Sequence, residues 1–199
     1  MDNAGSSTSR LARPYTIWFS GFIPSEDQDS DRNMTHVMEP VAEVETVEDF
    51  WAAYQYLLKP NEALSKTCYH VFKQGIKPIW EDDSNKDGGR WHIWFPKGQT
   101  NKLWEDLLLH LIGNQFTHGD SICGIEVRIK PRGDSLSIWH SDASDLDQKE
   151  KVKEEFLAAI GASDAGLKVE YHKFQESIAF EKNHRDKKNS GFERKAKAE

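Results

Sequence analysis

The chain has 199 residues, of which 37% are hydrophobic and 30% charged, values that fit one soluble globular domain with a sizeable core. Its formal net charge of −7 argues against a protein that coats nucleic acid by charge alone. No apolar run approaches the roughly 18 residues that a membrane helix needs, and the polar residues 1–13 contain no secretory signal. We therefore expect a cytoplasmic protein, a monomer with no membrane contact, in which Cys68 and Cys123 remain reduced core thiols.

Residues 1–13 are predicted to form a disordered arm, residues 14–178 the folded domain, and residues 179–199 a basic, flexible tail. The first strand is expected at 14–22, followed by an acidic loop. Apolar residues repeat at helical spacing in three stretches, 50–58, 103–112 and 152–160, the last two ended by glycine. Further strands are predicted around 69–72, 89–95, 121–130, 135–141 and 167–174. This order indicates an α+β fold with an antiparallel sheet.

One β-hairpin is predicted in "VRIKPRGDSLSIW", with a two-residue turn at Gly133-Asp134. That turn would place Ile129 opposite Ile138 and Arg128 opposite Trp139. One face would then carry the residues Cys123, Ile125, Val127, Ile129, Leu136 and Ile138, and the other the residues Arg128, Lys130 and Trp139. A tryptophan with two cations on the non-core face indicates either a ligand site or a partly exposed ring under cationic stems.

A second tryptophan stands beside acids in "IKPIWEDDSNKDGGRW", where Glu81 follows Trp80. An indole attracts a flat cationic ring by stacking and cation–π interaction, and a carboxylate accepts two N–H bonds from one edge of such a ring. Lys130 and Arg132 would hold an attached phosphate chain. The N7-methylated guanine of the mRNA cap has all these properties. The alternative is that Trp80 is a core residue and the acids only solvate a turn.

The stretches "TVEDFWAAY", "FKQGIKPIWEDDSNKDGGRW", "LWEDLLLHLIGNQF" and "GDSICGIEVRIKPRGDSLSIW" resemble the eukaryotic translation initiation factor 4E family in order and spacing. The resemblance covers residues 15–177 and is nearest to the repressor-type branch, the 4E homologous proteins. It implies a single domain with a curved antiparallel sheet of about eight strands and three helices on its convex face. It also implies binding of capped mRNA on the concave side, without catalysis or a cofactor.

The resemblance also assigns residues to a cap site. Trp80 would stack on the methylated guanine, Glu81 would accept its N–H edge, and Trp139 would lie against the methyl group. The remaining members of the expected site are the residues Lys130, Arg132, Arg90, Arg128 and Met34. Ser135 stands where the family often has a further lysine, which implies an altered phosphate site.

Met34 is the main departure, because the family has Trp or Tyr at the position of the second stacking ring. A thioether is polarizable but has no negative ring face. We therefore expect one-sided stacking on Trp80, with Met34 as an apolar lid and weaker discrimination for the methylated base. Alternatively, the loop is shifted and Phe22 supplies the second ring.

A second surface is expected on the helices, where the family docks partner peptides that carry a Tyr-x4-Leu-hydrophobic helix. Its predicted members are the residues Val47, Trp51, Leu109, Gly113, Glu105, Asp106 and Leu11. Most of these apolar positions also fit a core, and Trp51 is the best candidate for an exposed anchor. Glu105 replaces the aliphatic residue of initiating members, which favours a different or weaker scaffold or repressor partner.

Other functions are less well supported by the sequence. The eight histidines and two cysteines show no metal-ligand spacing, and there is no phosphate-binding glycine loop or nucleophile motif. Two hypotheses remain: a cap-binding regulator of translation, and a protein-interaction module of the same fold that has a weakened cap pocket. A nucleotide hydrolase is a distant third.

Overall fold

A computed structural model of the chain describes residues 8–24, 34–162, 167–180 and 182. Within them, the strands are β1 (Arg10–Pro24), β2 (Met34–Thr46), β3 (Cys68–Lys73), β4 (Gly89–Phe95), β5 (Ile122–Lys130), β6 (Gly133–His140) and β7 (Lys168–Lys173). The helices are α1 (Val47–Tyr54), α2 (Thr100–Ile112) and α3 (Leu146–Ala159), followed by α4 over residues 174–180.

The seven strands form one antiparallel sheet in the order β2-β1-β3-β5-β6-β4-β7. The predicted α+β class and antiparallel sheet are confirmed, with seven described strands against the expected eight. β2 was missed because Pro40 interrupts an acidic segment without an apolar run. Proline is tolerated there because β2 is an edge strand, where a missing N–H costs little.

Local capping explains where the helices begin and end. Thr46 and Asp49 form a reciprocal capping box at the start of α1, and the Asp145 side chain accepts the Gln148 N–H at the start of α3. α2 ends at Gly113, as predicted, while α4 was not predicted. It begins at Phe174, whose buried ring packs against Trp139.

The main core lies between α1–α3 and one face of the sheet. Phe50, Trp104 and Phe156 pack there against strand residues such as Ile17 and Ile125. The opposite face, which we call the open face, carries a smaller buried cluster of Phe72, Cys123, Trp139 and Phe174. Outside this small cluster, the open face is not part of the main core that α1–α3 cover.

The β5–β6 hairpin turns two residues earlier than predicted. Lys130 pairs with Gly133 and Ile129 with Asp134, so the turn residues are Pro131 and Arg132. The Asp134 carboxylate, predicted for the turn, instead accepts a 2.5 Å hydrogen bond from Thr100 at the start of α2. This tertiary contact overrides the Gly-Asp turn preference.

The new register shifts the pairing by an even number of residues, so most predicted faces survive. Arg128 now pairs with Ser135, and Trp139 with Gly124. The exception is Cys123, which a register shift between Ile122 and Gly124 moves to the open face. Both cysteines are buried free thiols, as expected.

The boundaries of the folded part also differ from expectation. β1 begins at Arg10, which pairs with Thr46, so residues 10–13 belong to the sheet rather than to the expected arm over 1–13. Residues 1–7 and 183–199 lie outside the described part of the chain. No helix among the described residues is long and apolar enough to cross a membrane.

Candidate ligand cavity and helix surface

A cavity of about 450 Å³ opens on the open face of the sheet. The loop over residues 76–88, which we call the tryptophan loop, forms one wall, and β1 with β2 forms the other. Side chains of β3 and β5 line the cavity between them. Its lining residues include Trp80, Glu81, Arg128, Lys130 and Trp139, together with residues not predicted, namely Ser20, His36, Met38, Lys66, Cys68, His70 and Glu126.

The tryptophan loop is held by side chains beneath its backbone. The fully buried Asn85 donates from Nδ2 to the carbonyl oxygens of Lys77 and Ile79, each at 2.8 Å. The Asp82 carboxylate accepts from the backbone N–H groups of Lys77 and Ser84, each at 3.0 Å. Asp82 therefore stabilises the loop, so the alternative that the acids only solvate a turn does not hold for Asp82.

Trp80 and Glu81 project from this loop with different surroundings. Trp80 is partly buried and packs against the open-face cluster that contains Trp139. Glu81 is exposed and lines the cavity mouth. An indole and a carboxylate thus share one wall, which suits a planar ligand with hydrogen-bond donors along one edge.

Trp139 is a core residue that also reaches the cavity. Only 2% of it is exposed, and its ring lies 5.2 Å from that of Phe72 and 4.4 Å from that of Phe174. Its Nε1 has no hydrogen-bond partner among the described residues. Arg90 lies outside the cavity lining, with its guanidinium 5.8 Å from the Trp139 ring centroid.

A buried acid that was not predicted from the sequence, Glu126, also lines the cavity. Glu126 is 1% exposed, and its carboxylate lies 3.3 Å from His70 Nδ1, 3.2 Å from Arg128 and 3.5 Å from Arg90. His70 Nε2 in turn lies 2.9 Å from Ser20 Oγ. Burial alone would raise the pKa of Glu126, but these three partners together hold it well below its usual range. The only clue in the sequence is one acid inside the apolar run "CGIEVRI".

The positively charged side chains near the cavity outnumber the buried acid Glu126. Burial lowers the pKa of Lys130, and the positive charges of Arg128 and Arg90 lower it further. An anion bound beside Lys130 would relieve that repulsion. Arg132 is exposed in the Pro131-Arg132 turn and does not line the cavity.

The β1–β2 wall carries Phe22, which was predicted as the alternative to Met34 for the second stacking position. Phe22 is 41% exposed and meets His36 edge-on at 5.2 Å between ring centroids. Lys66 Nζ lies 5.2 Å from the Phe22 ring centroid. Met34 pairs with Pro24 at the end of the strands, and its side chain lies outside the described part of the chain.

Some residues of the predicted partner surface are exposed, and others are partly buried within the fold. Trp51 and Leu109 are 43% and 42% exposed, and Gly113 is also exposed. Val47 and Leu11 are partly buried, and Leu11 packs against the main core.

The two acids of this surface have partners within the chain. Glu105 accepts a 3.0 Å hydrogen bond from the Tyr54 hydroxyl, and Asp106 pairs with Lys102. Glu105 therefore ties α2 to α1. Within the described part of the chain, no three His, Cys, Asp or Glu side chains are grouped so as to hold a metal ion.

Comparison with known proteins gives a consistent result. The model of the family described as eukaryotic initiation factor 4E matches residues 10–189. Translation initiation factor NCBP of Oryza sativa is 37% identical over 136 residues, which are 68% of this chain and 58% of the rice protein. Factor 4E-4 of Caenorhabditis elegans is 33% identical over 78% of this chain and 73% of its own length. The chain therefore spans little more than half of the rice relative.

Solved structures show the same architecture. The complex of C. elegans eIF4E-3 with the 4E-binding protein Mextli and a cap analog has a TM-score of 0.75 at 28% identity, covering 87% of this chain and 96% of that one. Ascaris suum eIF4E-3 with an m2,2,7G cap has a TM-score of 0.73 at 30% identity, covering 83% and 92%.

Proposed function

Because the chain belongs to the eukaryotic initiation factor 4E family, we propose that it binds the 7-methylguanosine cap of mRNA and regulates translation. The observation that carries the proposal is the cavity itself. It brings Trp80 and Glu81 of the tryptophan loop together with Arg128, Lys130 and Trp139 of the β5–β6 hairpin, which comes after β4 and α2 in the chain. Two structurally similar nematode proteins hold a cap or a cap analog.

The tryptophan-loop wall suits the methylated base. The face of Trp80 attracts the cationic ring, with about 0.5–2 kcal/mol from cation–π interaction in addition to stacking. Glu81 accepts the N1–H and N2–H groups of the guanine edge, each such bond contributing roughly 1.5–3 kcal/mol. Trp139 closes the cavity beside the methyl group.

The cations suit the phosphate chain. Lys130 and Arg128 line the cavity next to the place where the base would lie. Glu126 orients Arg128 through its 3.2 Å contact, and the Arg90 guanidinium lies 5.8 Å from the Trp139 ring centroid. Arg132, in the exposed turn, would meet phosphates only as they leave the cavity.

The helix surface suits a regulatory partner with a Tyr-x4-Leu-hydrophobic helix. Trp51 and Leu109 are large exposed apolar residues on α1 and α2. Glu105 is engaged by Tyr54, so its charge is held beside this surface. That charge favours a repressor-type role with a partner unlike the scaffold of initiating factors. The exposed residues Trp51 and Leu109 also support the second candidate, a protein-interaction module with a weakened cap pocket.

The test compares 7-methyl-GTP with GTP by tryptophan fluorescence quenching. The wild type should bind the methylated nucleotide more tightly. Glu81→Gln should weaken binding of 7-methyl-GTP at least tenfold, because a charge-assisted acceptor becomes a neutral amide. Asp83→Asn is the matched control, since Asp83 is an exposed acid of the same loop that pairs with Lys86 outside the cavity.

Equal binding of GTP and 7-methyl-GTP, with no effect of Glu81→Gln, would refute cap recognition by this cavity. If neither nucleotide binds while a Tyr-x4-Leu-hydrophobic peptide does, the interaction-module candidate is supported. If the Trp51→Ala variant no longer binds that peptide, the peptide binds on the helix surface.

A further inference from the structure

Trp94 is an exposed tryptophan on the open face that the cavity does not include. It lies on β4 between the buried residues Ile93 and Phe95, yet it is 43% exposed. Its indole lies directly on Gly133, where an added Cβ would stand 2.5 Å from the ring. Glycine backbone therefore packs against part of the ring, and the exposed part is available to a flat ligand.

Strand pairing links Trp94 to the cavity. Trp94 pairs with Ser135, Ser135 pairs with Arg128, and Arg128 pairs with Cys68. Arg128 and Cys68 line the cavity. At about 4.8 Å per strand, the Trp94 backbone lies roughly 10 Å from the backbone of Arg128 along one row of the sheet. Ser135 Oγ, within this row, has no hydrogen-bond partner among the described residues.

The charge along this path is positive. Lys130 lines the cavity and pairs with Gly133, the residue that Trp94 covers. Asp134 lies nearby in sequence, but its buried carboxylate is bonded to Lys97 and Thr100 rather than exposed on the open face. A polyanion that leaves the cavity past Arg128 and Lys130 would therefore reach the open side of Trp94 without meeting that acid.

We propose that Trp94 is a stacking platform for the base of a nucleotide that follows the cap, so that the open face binds the first part of the RNA chain as well as the cap. The inference rests on the proposed cap-binding function. An RNA segment is the occupant that fits, because the platform continues the cavity through cations, and a base needs only a flat ring on which to stack. Such stacking is independent of base identity.

The experiment measures affinity for 7-methyl-GTP and for a short capped oligoribonucleotide of unstructured sequence. The wild type should bind the capped RNA more tightly than the mononucleotide. Trp94→Ala should remove most of that advantage, a loss of roughly tenfold that corresponds to one base–aromatic stack. It should leave 7-methyl-GTP affinity unchanged. Trp94→Phe keeps a ring and should keep most of the advantage.

Tyr56→Ala removes another exposed aromatic side chain, which follows α1, and should change neither affinity. A capped ligand whose nucleotides after the cap all lack their bases should bind wild type and Trp94→Ala equally. If Trp94→Ala keeps the full advantage for capped RNA while 7-methyl-GTP binds normally, the platform is refuted and Trp94 only covers Gly133. If wild type binds no 7-methyl-GTP, the cap proposal fails, and the platform fails with it.

Discussion

The two walls of the cavity are built differently. The tryptophan loop is held by the buried Asn85 and by the Asp82 carboxylate, and its indole packs on the Trp139 cluster. The β1–β2 wall is the far end of two long strands at the β2 edge of the sheet, where Phe22 and His36 are exposed. One wall is therefore preorganised for a ligand, whereas on the other, among the described residues, the Phe22 ring meets only His36 and Lys66.

This difference predicts unequal contributions to binding. A side chain whose position is already held loses little conformational entropy when a ligand arrives. A half-exposed ring must be ordered at that moment, and Lys66 already lies over Phe22, where it repels a second cation. We therefore expect the tryptophan-loop wall to provide most of the affinity for a methylated base.

The largest effect is expected from Trp80→Leu, which keeps apolar bulk and removes the aromatic face. Stacking and cation–π attraction together are worth about 3 kcal/mol, so affinity for 7-methyl-GTP should fall more than 100-fold. Calorimetry is the suitable measurement, because the substitution also removes a fluorescent reporter. A loss below about threefold, with the thermal unfolding midpoint unchanged, would contradict the assignment of the base to this wall.

A smaller effect is expected from Asn85→Ala, which acts through the loop. It leaves the carbonyl oxygens of Lys77 and Ile79 without their donor, so the free energy of unfolding should fall by about 1–3 kcal/mol. Affinity for 7-methyl-GTP should fall roughly tenfold, because Trp80 and Glu81 lose their support. Urea unfolding and calorimetry measure the two effects.

Ser84→Ala changes the exposed neighbour of Asn85 and is the matched control, expected to stay within about 0.5 kcal/mol of wild type. Asn85→Asp keeps the shape but replaces the amide donor by a carboxylate, so it should behave like Asn85→Ala. Lower stability with unchanged affinity would show that Trp80 is held by its packing on Trp139 rather than by the loop bonds.

The sequence predicted the elements whose signals are local. Helix periodicity located α1 to α3, with Gly113 marking the end of α2, and apolar alternation located β4 and β5 close to their observed bounds. Trp80 and Glu81, which are neighbours in the sequence, both line the cavity, and their roles toward a ligand stay a prediction. These are features whose physical cause lies within a few residues.

Features that depend on distant contacts were missed. The hairpin turn lies earlier than predicted because the Asp134 carboxylate accepts a hydrogen bond from Thr100. The Glu126–His70 contact joins two strands that are far apart in sequence. Trp139 was expected to serve a ligand, yet it is also buried in a cluster with Phe174, a residue that the predictions left in a strand. Replacing Trp139 would therefore test packing as much as binding.

The smallest effect is expected from Phe22→Ala on the weaker wall. The ring is 41% exposed and shares a face with Lys66, so its loss should reduce 7-methyl-GTP affinity by only about fivefold, a single weak stack.

Met34→Trp is the companion variant. If Met34 opposes Trp80, the new indole should raise affinity for 7-methyl-GTP more than for GTP, by about 0.5–2 kcal/mol. Unchanged affinity there, together with a loss in Phe22→Ala, would assign the second ring to Phe22. A loss in Phe22→Ala as large as that in Trp80→Leu would instead show that the two walls are equivalent, because a ring ordered only on binding would then contribute as much as one already held.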